Sequence, residues 1–552
     1  MPVVDEGGNM HAVTTLSPKQ NTTRARVPIP PDKVMPVIVV PGIMGSNLRA
    51  SASGGNLGLK PGEAAWRPPN GVGAGLEEVK RWRSRSPAAR QNILDGDTLE
   101  VDPTGQILLP PSAPQFTWDE ATARLRGWGE IHSSSYGPLL IYLQHSLNTT
   151  FRRTLFNSVL AEHWLYLNKY SRKNWNVEKE GDSANKKGGS SDKEGPCAEL
   201  TDSEMKKFAE FHYPIYAFGY NWLQSNEVSA NKLRARIEEI IADWKGVQKA
   251  CDSVLLVTHS MGGLVSRACA KQIPEKVAGI IHGVMPALGA PVCYRRVACG
   301  TERSSPTNGV IANQIAESFS DIAGKNSAET TPVLAVAPGP LELLPNHLYP
   351  KPWLFIDVSS TQGKQVNTLS LPSENPYDFY ADFKSWYRAI DLALVDPAKK
   401  YGDEVEDVVR LAIAQAKRFH MEVLDSYYHP KTYAFYGADA AHASYGSCRW
   451  KAISKDANSH AGNLTLGKLR SSPGAEADER YVDFNDGVSL KFTHSYQDTS
   501  GDGTVPSQSG SAPEGTVLQI FRVHGFDHQG SYNNPAMQAL TLQLIAKLMQ
   551  KK

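Results

Sequence analysis

The sequence predicts an α/β protein with a mostly parallel central sheet and large, mainly helical cap insertions. Three observations predict it. Short β-branched apolar runs recur along the chain. Helical patterns fall between several of them. The runs are apolar throughout rather than alternating, which is the mark of strands covered on both faces. Strand, helix and strand in this order imply parallel pairing through right-handed crossovers.

The first run is PVIVVPG over 36–42, which closes in a turn. YPIYAFGY (213–220), SVLLVTH (253–259) and KVAGIIHGVMP (276–286) follow as strands, and TYAFYG (432–437) and VLQIFRVH (517–524) return to strand character late in the chain. Helices are expected over 229–246, 262–273, 380–394 and 405–428, within 136–170, and over 534–550, where a lysine near the end suits the helix dipole. Residues 1–34 are polar and proline-dotted and read as an arm. Residues 171–196 are rich in charge, glycine and serine and read as a mobile excursion.

Bulk composition excludes several function classes. The 58 basic and 57 acidic side chains leave a net charge of +1, which gives no reason to expect nucleic acid as a partner. The six cysteines lack the paired spacing of a zinc site, although Cys293 and Cys299 lie close enough in sequence to bridge a short loop. No apolar run reaches the ~18 residues of a membrane span. The N-terminal segment has no basic start followed by an apolar stretch, so a signal peptide is not expected and synthesis in the cytoplasm is.

The chemistry begins at Thr258-His259-Ser260-Met261-Gly262-Gly263. An apolar strand ends, a serine follows at once, and two glycines open a helix. This is the nucleophile-elbow pattern, G-x-S-x-G, with threonine in the first glycine position. Such a turn strains the serine backbone so that its hydroxyl stands clear of the sheet, and the helix start brings N–H groups toward a developing oxyanion. Ser260 is the expected nucleophile and the fold is expected to be an α/β-hydrolase fold. A second signature, Val39-Val40-Pro41-Gly42-Ile43-Met44-Gly45-Ser46, lies at the end of the first sheet strand. In this fold a loop there supplies one oxyanion N–H and the residue after the nucleophile the other. The expected donors are Met261 and either Met44 or Ile43, with Met44 taken first.

Acid and histidine should follow the serine in that order. The acid candidate is Asp502 in Ser500-Gly-Asp-Gly-Thr-Val-Pro506, with Asp498 and Asp527 as alternatives; the bland reading of Gly-Asp-Gly is an exposed or calcium-binding turn. The base is His528 or His524, both just past the last strand, and His528 is preferred. No cofactor or metal is required by this set. The expected organisation is an arm over 1–34, the start of the core with the oxyanion loop over 35–95, an insertion or lid over 96–212, core with the elbow over 213–290, a cap over 291–430, and core with acid and histidine over 431–552.

These motifs carry a resemblance. VIVVPGIMGSNL (37–48), YNWL (220–223), VTHSMGGLVSR (257–267), ELLPN (342–346), GDGTVP (501–506) and the His528-Gln529 segment resemble the lipase and acyltransferase family that includes lecithin–cholesterol acyltransferase. More loosely they resemble the esterases that deacylate GPI-anchor inositol. Within that group the chain looks most like bacterial lipase effectors delivered by type VI secretion. The resemblance implies a Ser260–His528–Asp502 triad and a phospholipid or other fatty-acyl ester substrate at a membrane surface. It implies delivery outside the cell or into a target-cell periplasm. Partners would be a secretion-apparatus component and a periplasmic immunity protein. It also implies that Gly127–Gly129 and the segment after it line or cover the pocket. The competing expectations are an acyltransferase, an esterase for soluble esters, or a degenerate hydrolase fold that only binds.

Overall fold

The computed structural model describes residues 31–67, 72–109, 119–153, 158–169, 198–305, 309–454, 463–470, 478–485 and 487–551, and the backbone of three strands before residue 30. Cys197 and the 171–196 excursion lie outside the described residues.

Six parallel strands make the central sheet: β1 (Val37–Val40), β2 (Ile215–Ala217), β3 (Val254–His259), β4 (Val277–Gly283), β5 (Thr432–Gly437) and β6 (Gln519–Val523), in the spatial order β2-β1-β3-β4-β5-β6. The register puts Val39 beside Val257 and Ile281 beside Tyr433. This is the α/β-hydrolase arrangement that the apolar runs foretold. Side chains of β1 to β4 divide between two cores, while Ala434 and Tyr436 of β5 and Ile520 of β6 form a small third cluster. Ile38, Val40, Val254 and Leu256 enter one cluster with helices α1 (Asn226–Gly246) and α2 (Gly262–Gln272). Val37, Val39, Leu255 and Val257 enter the other, with the helix Ser133–Asn148 and the C-terminal helix Pro535–Gln550. Period-2 alternation with both faces buried is why these runs are mostly apolar, with His282 of β4 and Arg522 of β6 among the exceptions.

The insertions contain more than helices. A second six-stranded sheet is built from Leu354–Ser360, Gln365–Leu371, Cys448–Ser454, Lys468–Leu469, Glu479–Asp483 and Ser489–His494. Its pairs are antiparallel except for the parallel pair of Leu354–Ser360 with Cys448–Ser454. Ser489–His494 alternates buried and exposed positions because one face there meets water, whereas Leu354–Ser360 has no exposed residue.

Three local expectations change. The helix expected over 380–394 is reduced to Pro376–Tyr380 and a single turn at Leu392–Leu394. Asp382 takes the Lys384 and Ser385 N–H groups into a local turn, and Trp386 donates to the Leu464 carbonyl, so the apolar residues reach the core without helical spacing. The helical run after 148 is interrupted by a hairpin, Phe151–Arg153 with Ser158–Leu160. In the polar arm, Val3–Val4, Met10–Thr15 and Arg24–Ile29 pair as a three-stranded antiparallel sheet.

Candidate active site

The end of β3 meets the start of α2 at Ser260, whose φ is +52°, the left-handed region that costs a non-glycine residue free energy. Surrounding hydrogen bonds hold it there. The Ser260 N–H donates to the Gly283 carbonyl at 2.9 Å, and the Gly263 N–H donates to the Ser260 carbonyl at 2.9 Å. Space explains the neighbouring glycines. A Cβ on Gly262 would lie 2.4 Å from the Pro41 carbonyl oxygen and 2.5 Å from that of Val40. One on Gly42 would lie 2.8 Å from both Ser260 Cβ and His259 Nδ1. The elbow and the 41–46 loop are in backbone contact, and only glycine fits between them. Thr258, in place of the usual first glycine, turns its hydroxyl away to His282 Nδ1 at 2.8 Å.

The structure brings three of the expected residues into line. His528 Nε2 stands 2.8 Å from Ser260 Oγ, and His528 Nδ1 stands 2.8 Å from Asp502 Oδ2. A carboxylate facing Nδ1 fixes the proton there and leaves Nε2 to accept from the serine hydroxyl. The other Asp502 oxygen accepts the Thr504 and Val505 N–H groups at 3.0 and 2.7 Å. The Asp502 carbonyl accepts the His528 N–H at 2.7 Å, so the acid orients both the ring and the backbone of the histidine. Ser260 is 4% exposed and Asp502 1%. A hydroxyl, imidazole and carboxylate in series can move a proton from oxygen to nitrogen and stabilise the imidazolium that forms.

The alternatives take other places. Asp498 holds a turn by accepting from the Gly446 and Ser447 N–H groups at 2.7 and 3.1 Å. Asp527 accepts the Gly530 N–H at 2.6 Å. His524 directly follows β6, four residues short of the serine's partner. Cys293 and Cys299 are both free thiols, and burial pushes them up to about 12 and about 11. Trp128 of the expected pocket-lining Gly-Trp-Gly is buried, with its indole donating to the Ile215 carbonyl at 2.9 Å, so it braces the edge of the sheet. Among the described residues no cluster of three or more His, Cys, Asp or Glu is placed to hold a metal.

The amides of Met261, Met44 and Ile43 donate to no acceptor within the described chain. Met44 has φ +61°, and its carbonyl accepts the Trp66 indole N–H at 2.8 Å. Tyr220 and Ser46 anchor the same loop: the Tyr220 hydroxyl donates to the Pro41 carbonyl at 2.9 Å, and the Tyr220 N–H donates to Ser46 Oγ at 3.0 Å. Sequence reasoning missed two residues here. His259 stands inside the elbow motif, where its position was a signal. Tyr136 stands in a helix 123 residues earlier, with no motif to mark it.

Fold and site together define a chain of the α/β-hydrolase type. A family model described as PGAP1-like alpha/beta domain matches residues 203–304, from just before β2 past the elbow. Over nearly its whole length the chain is similar to a chain in the crystal structure of the Tle4–Tli4 complex, with 28% identity, a TM-score of 0.73, and coverage of 94% of this chain and 98% of that one. A Saccharomyces cerevisiae protein, the uncharacterized protein YJR098C, is 34% identical over 68 residues, which is 12% of this chain and 10% of that protein. The chain thus spans about a tenth of that curated relative's length.

Proposed function

We propose that the chain is a serine-dependent lipase or phospholipase that cleaves fatty-acyl esters through an acyl-enzyme and acts as an antibacterial secreted effector. The observation that carries this reading is the unbroken series Ser260 Oγ, His528 Nε2, His528 Nδ1, Asp502 Oδ2, with 2.8 Å at each hydrogen bond, on a serine held at φ +52°. The full-length likeness to a chain of the Tle4–Tli4 complex supports the effector part. That structure is of a complex, which supports a protein partner for this chain; in the effector reading the partner is a periplasmic immunity protein. Delivery is to a target-cell periplasm, where the enzyme meets the membrane from one side. No described helix is long and apolar enough to cross a membrane.

In the proposed reaction Ser260 Oγ attacks the ester carbonyl carbon while His528 Nε2 takes its proton. The Met44 and Met261 N–H groups receive the oxyanion of the tetrahedral intermediate. The C–O bond to the alcohol breaks, His528 returns the proton to that oxygen, and the acyl group stays on Ser260. Water then gives a proton to His528 and attacks the acyl carbon. The acid leaves as the proton returns to Ser260.

The test is incubation with mixed phospholipid vesicles and mass spectrometry of the products, beside Ser260→Ala. Free fatty acid and lysophospholipid released by the parent alone is the expected result and identifies the acyl position cut. No release, with Ser260 still labelled by a fluorophosphonate, removes the lipid substrate and leaves a serine hydrolase. No release and no labelling overturns the enzyme reading.

A further inference from the structure

The oxyanion loop and the base come from opposite ends of the chain, yet one hydrogen-bonded wire joins them. The Gly42 N–H donates to Tyr136 Oη at 3.0 Å. Tyr136 Oη lies 2.8 Å from His259 Nδ1, and His259 Nε2 lies 2.9 Å from the His528 carbonyl oxygen. Each proton in the wire is determined. A carbonyl only accepts, so His259 carries its proton on Nε2. Its Nδ1 is then a lone pair, which the Tyr136 hydroxyl proton must meet. The tyrosine oxygen is left to accept the Gly42 amide, which only donates.

We propose that Tyr136 and His259 are positioning residues that set the oxyanion loop and the general base in mutual register. The inference rests on the reading of Ser260, His528 and Asp502 as a hydrolytic triad. Neither residue needs to touch substrate. The wire acts on the backbone at both ends, at Gly42 two residues before the Met44 amide and at the carbonyl of His528 itself. Three further observations support it. His259 packs so tightly beneath the loop that any side chain on Gly42 would meet its Nδ1. Its ring lies against those of Tyr136 and His528, with centroids 5.6 and 5.0 Å apart. Complete burial pushes His259 down to about 3, with the nearby His528 adding to the shift, so the imidazole stays neutral and the direction of the wire is kept.

The experiment measures p-nitrophenyl butyrate hydrolysis per fluorophosphonate-titrated Ser260, which removes unfolded protein from the comparison. Tyr136→Phe keeps the ring and deletes both hydrogen bonds of the wire, together with the hydroxyl's interaction with the Gln529 side chain. The expected loss in kcat is on the order of 10- to 100-fold, smaller than the loss of a direct oxyanion donor, with KM unchanged. His259→Phe should fall as far. His259→Gln, whose amide N–H can still serve the His528 carbonyl, should recover part of the loss. Folded Tyr136→Phe with the parent's kcat, or a His259→Gln no better than His259→Phe, overturns the inference while leaving the triad standing. If Tyr136→Phe does not fold, the two His259 variants decide the matter by the same comparison. A parent that neither hydrolyses the ester nor reacts at Ser260 overturns the triad reading and this inference with it.

Discussion

A single methyl group measures how closely the elbow is built. At Gly262 an added Cβ would meet the backbone oxygens of Val40 and Pro41 at 2.5 and 2.4 Å, and backbone cannot rotate aside as a side chain does. Gly262→Ala must therefore push the 41–46 loop away from α2 or unwind the first turn of that helix. We expect a loss of about 1–3 kcal/mol in unfolding free energy, as for overpacked sites, and, on the proposed mechanism, a larger proportional loss in esterase turnover, because sub-ångström displacement of the proposed oxyanion donor is felt in the transition state. Urea unfolding beside p-nitrophenyl ester kinetics checks both. An alanine variant with parental stability and turnover would mean that the loop has slack there. At this scale the sequence was informative where chemistry is written into short motifs. Ser260, Asp502 and His528 stood in recognisable surroundings, and the structure brings them together. Tyr136 was not legible, since its partner lies 123 residues away and a tyrosine in an amphipathic helix reads as core. Nor does sequence choose between Ile43 and Met44, because both are peptide amides on one loop.

Elements were legible in proportion to how far their own pattern fixed them. Most strands of the central sheet are apolar on both faces, as Val37–Val40 is, and their pattern fixes them. The expected helix over 380–394 failed because its apolar residues are drawn into a core by tertiary contacts, as when Trp386 packs at a tilt against Phe492 with ring centroids 4.4 Å apart. The second sheet escaped notice because several of its strands are partly exposed and the chain returns to it only after a long excursion, as between the paired residues Leu354 and Cys448, 94 positions apart. One device at element scale depends on pH. The N-terminus of α1 is met by Glu342, whose two carboxyl oxygens accept from the Ser225 hydroxyl at 2.6 Å and the Asn226 N–H at 2.8 Å. Complete burial outweighs these bonds and pushes the carboxyl up to about 8. Its folded value is above its unfolded one, so the folded state holds the extra proton between about 4.5 and 8 and its stability falls as pH rises through that window. In Glu342→Gln the amide N–H can donate to Ser225 and its oxygen accept from Asn226, with no charge to bury. The variant should match the parent near pH 5 and melt at higher temperature than the parent near pH 9. Equal melting curves at pH 9 would mean that the carboxylate ionises at no cost beside the helix end.

Over the whole molecule, buried histidines set the opposite limb. Burial pushes His163, His212 and His420 down to about 4, and His259, His282 and His494 down to about 3, each with desolvation as the leading cause. These folded values lie below the ordinary one near 6.5, so between about 6.5 and 3 the unfolded chain binds protons that the folded chain refuses. Stability is therefore complete above that window and is lost as pH falls through it. Each histidine contributes a slope of at most about 1.4 kcal/mol per pH unit. Glu342, and Glu130, which burial pushes up to about 7, oppose this trend, but two carboxyls do not offset six imidazoles below pH 6. Above neutrality the histidines contribute nothing and Glu342 alone of these groups continues to titrate. The two limbs together give an unfolding free energy with a maximum between about pH 6.5 and 7.5, steep on the acid side and shallow on the alkaline side. Guanidinium unfolding from pH 4 to 9 measures it. A profile that stays level from pH 7 down to 5 would mean that these histidines reach water in the folded state. The cores on the two faces of the sheet would then be looser than the structure describes, since His259 and His282 stand at the carboxyl ends of β3 and β4, between those cores.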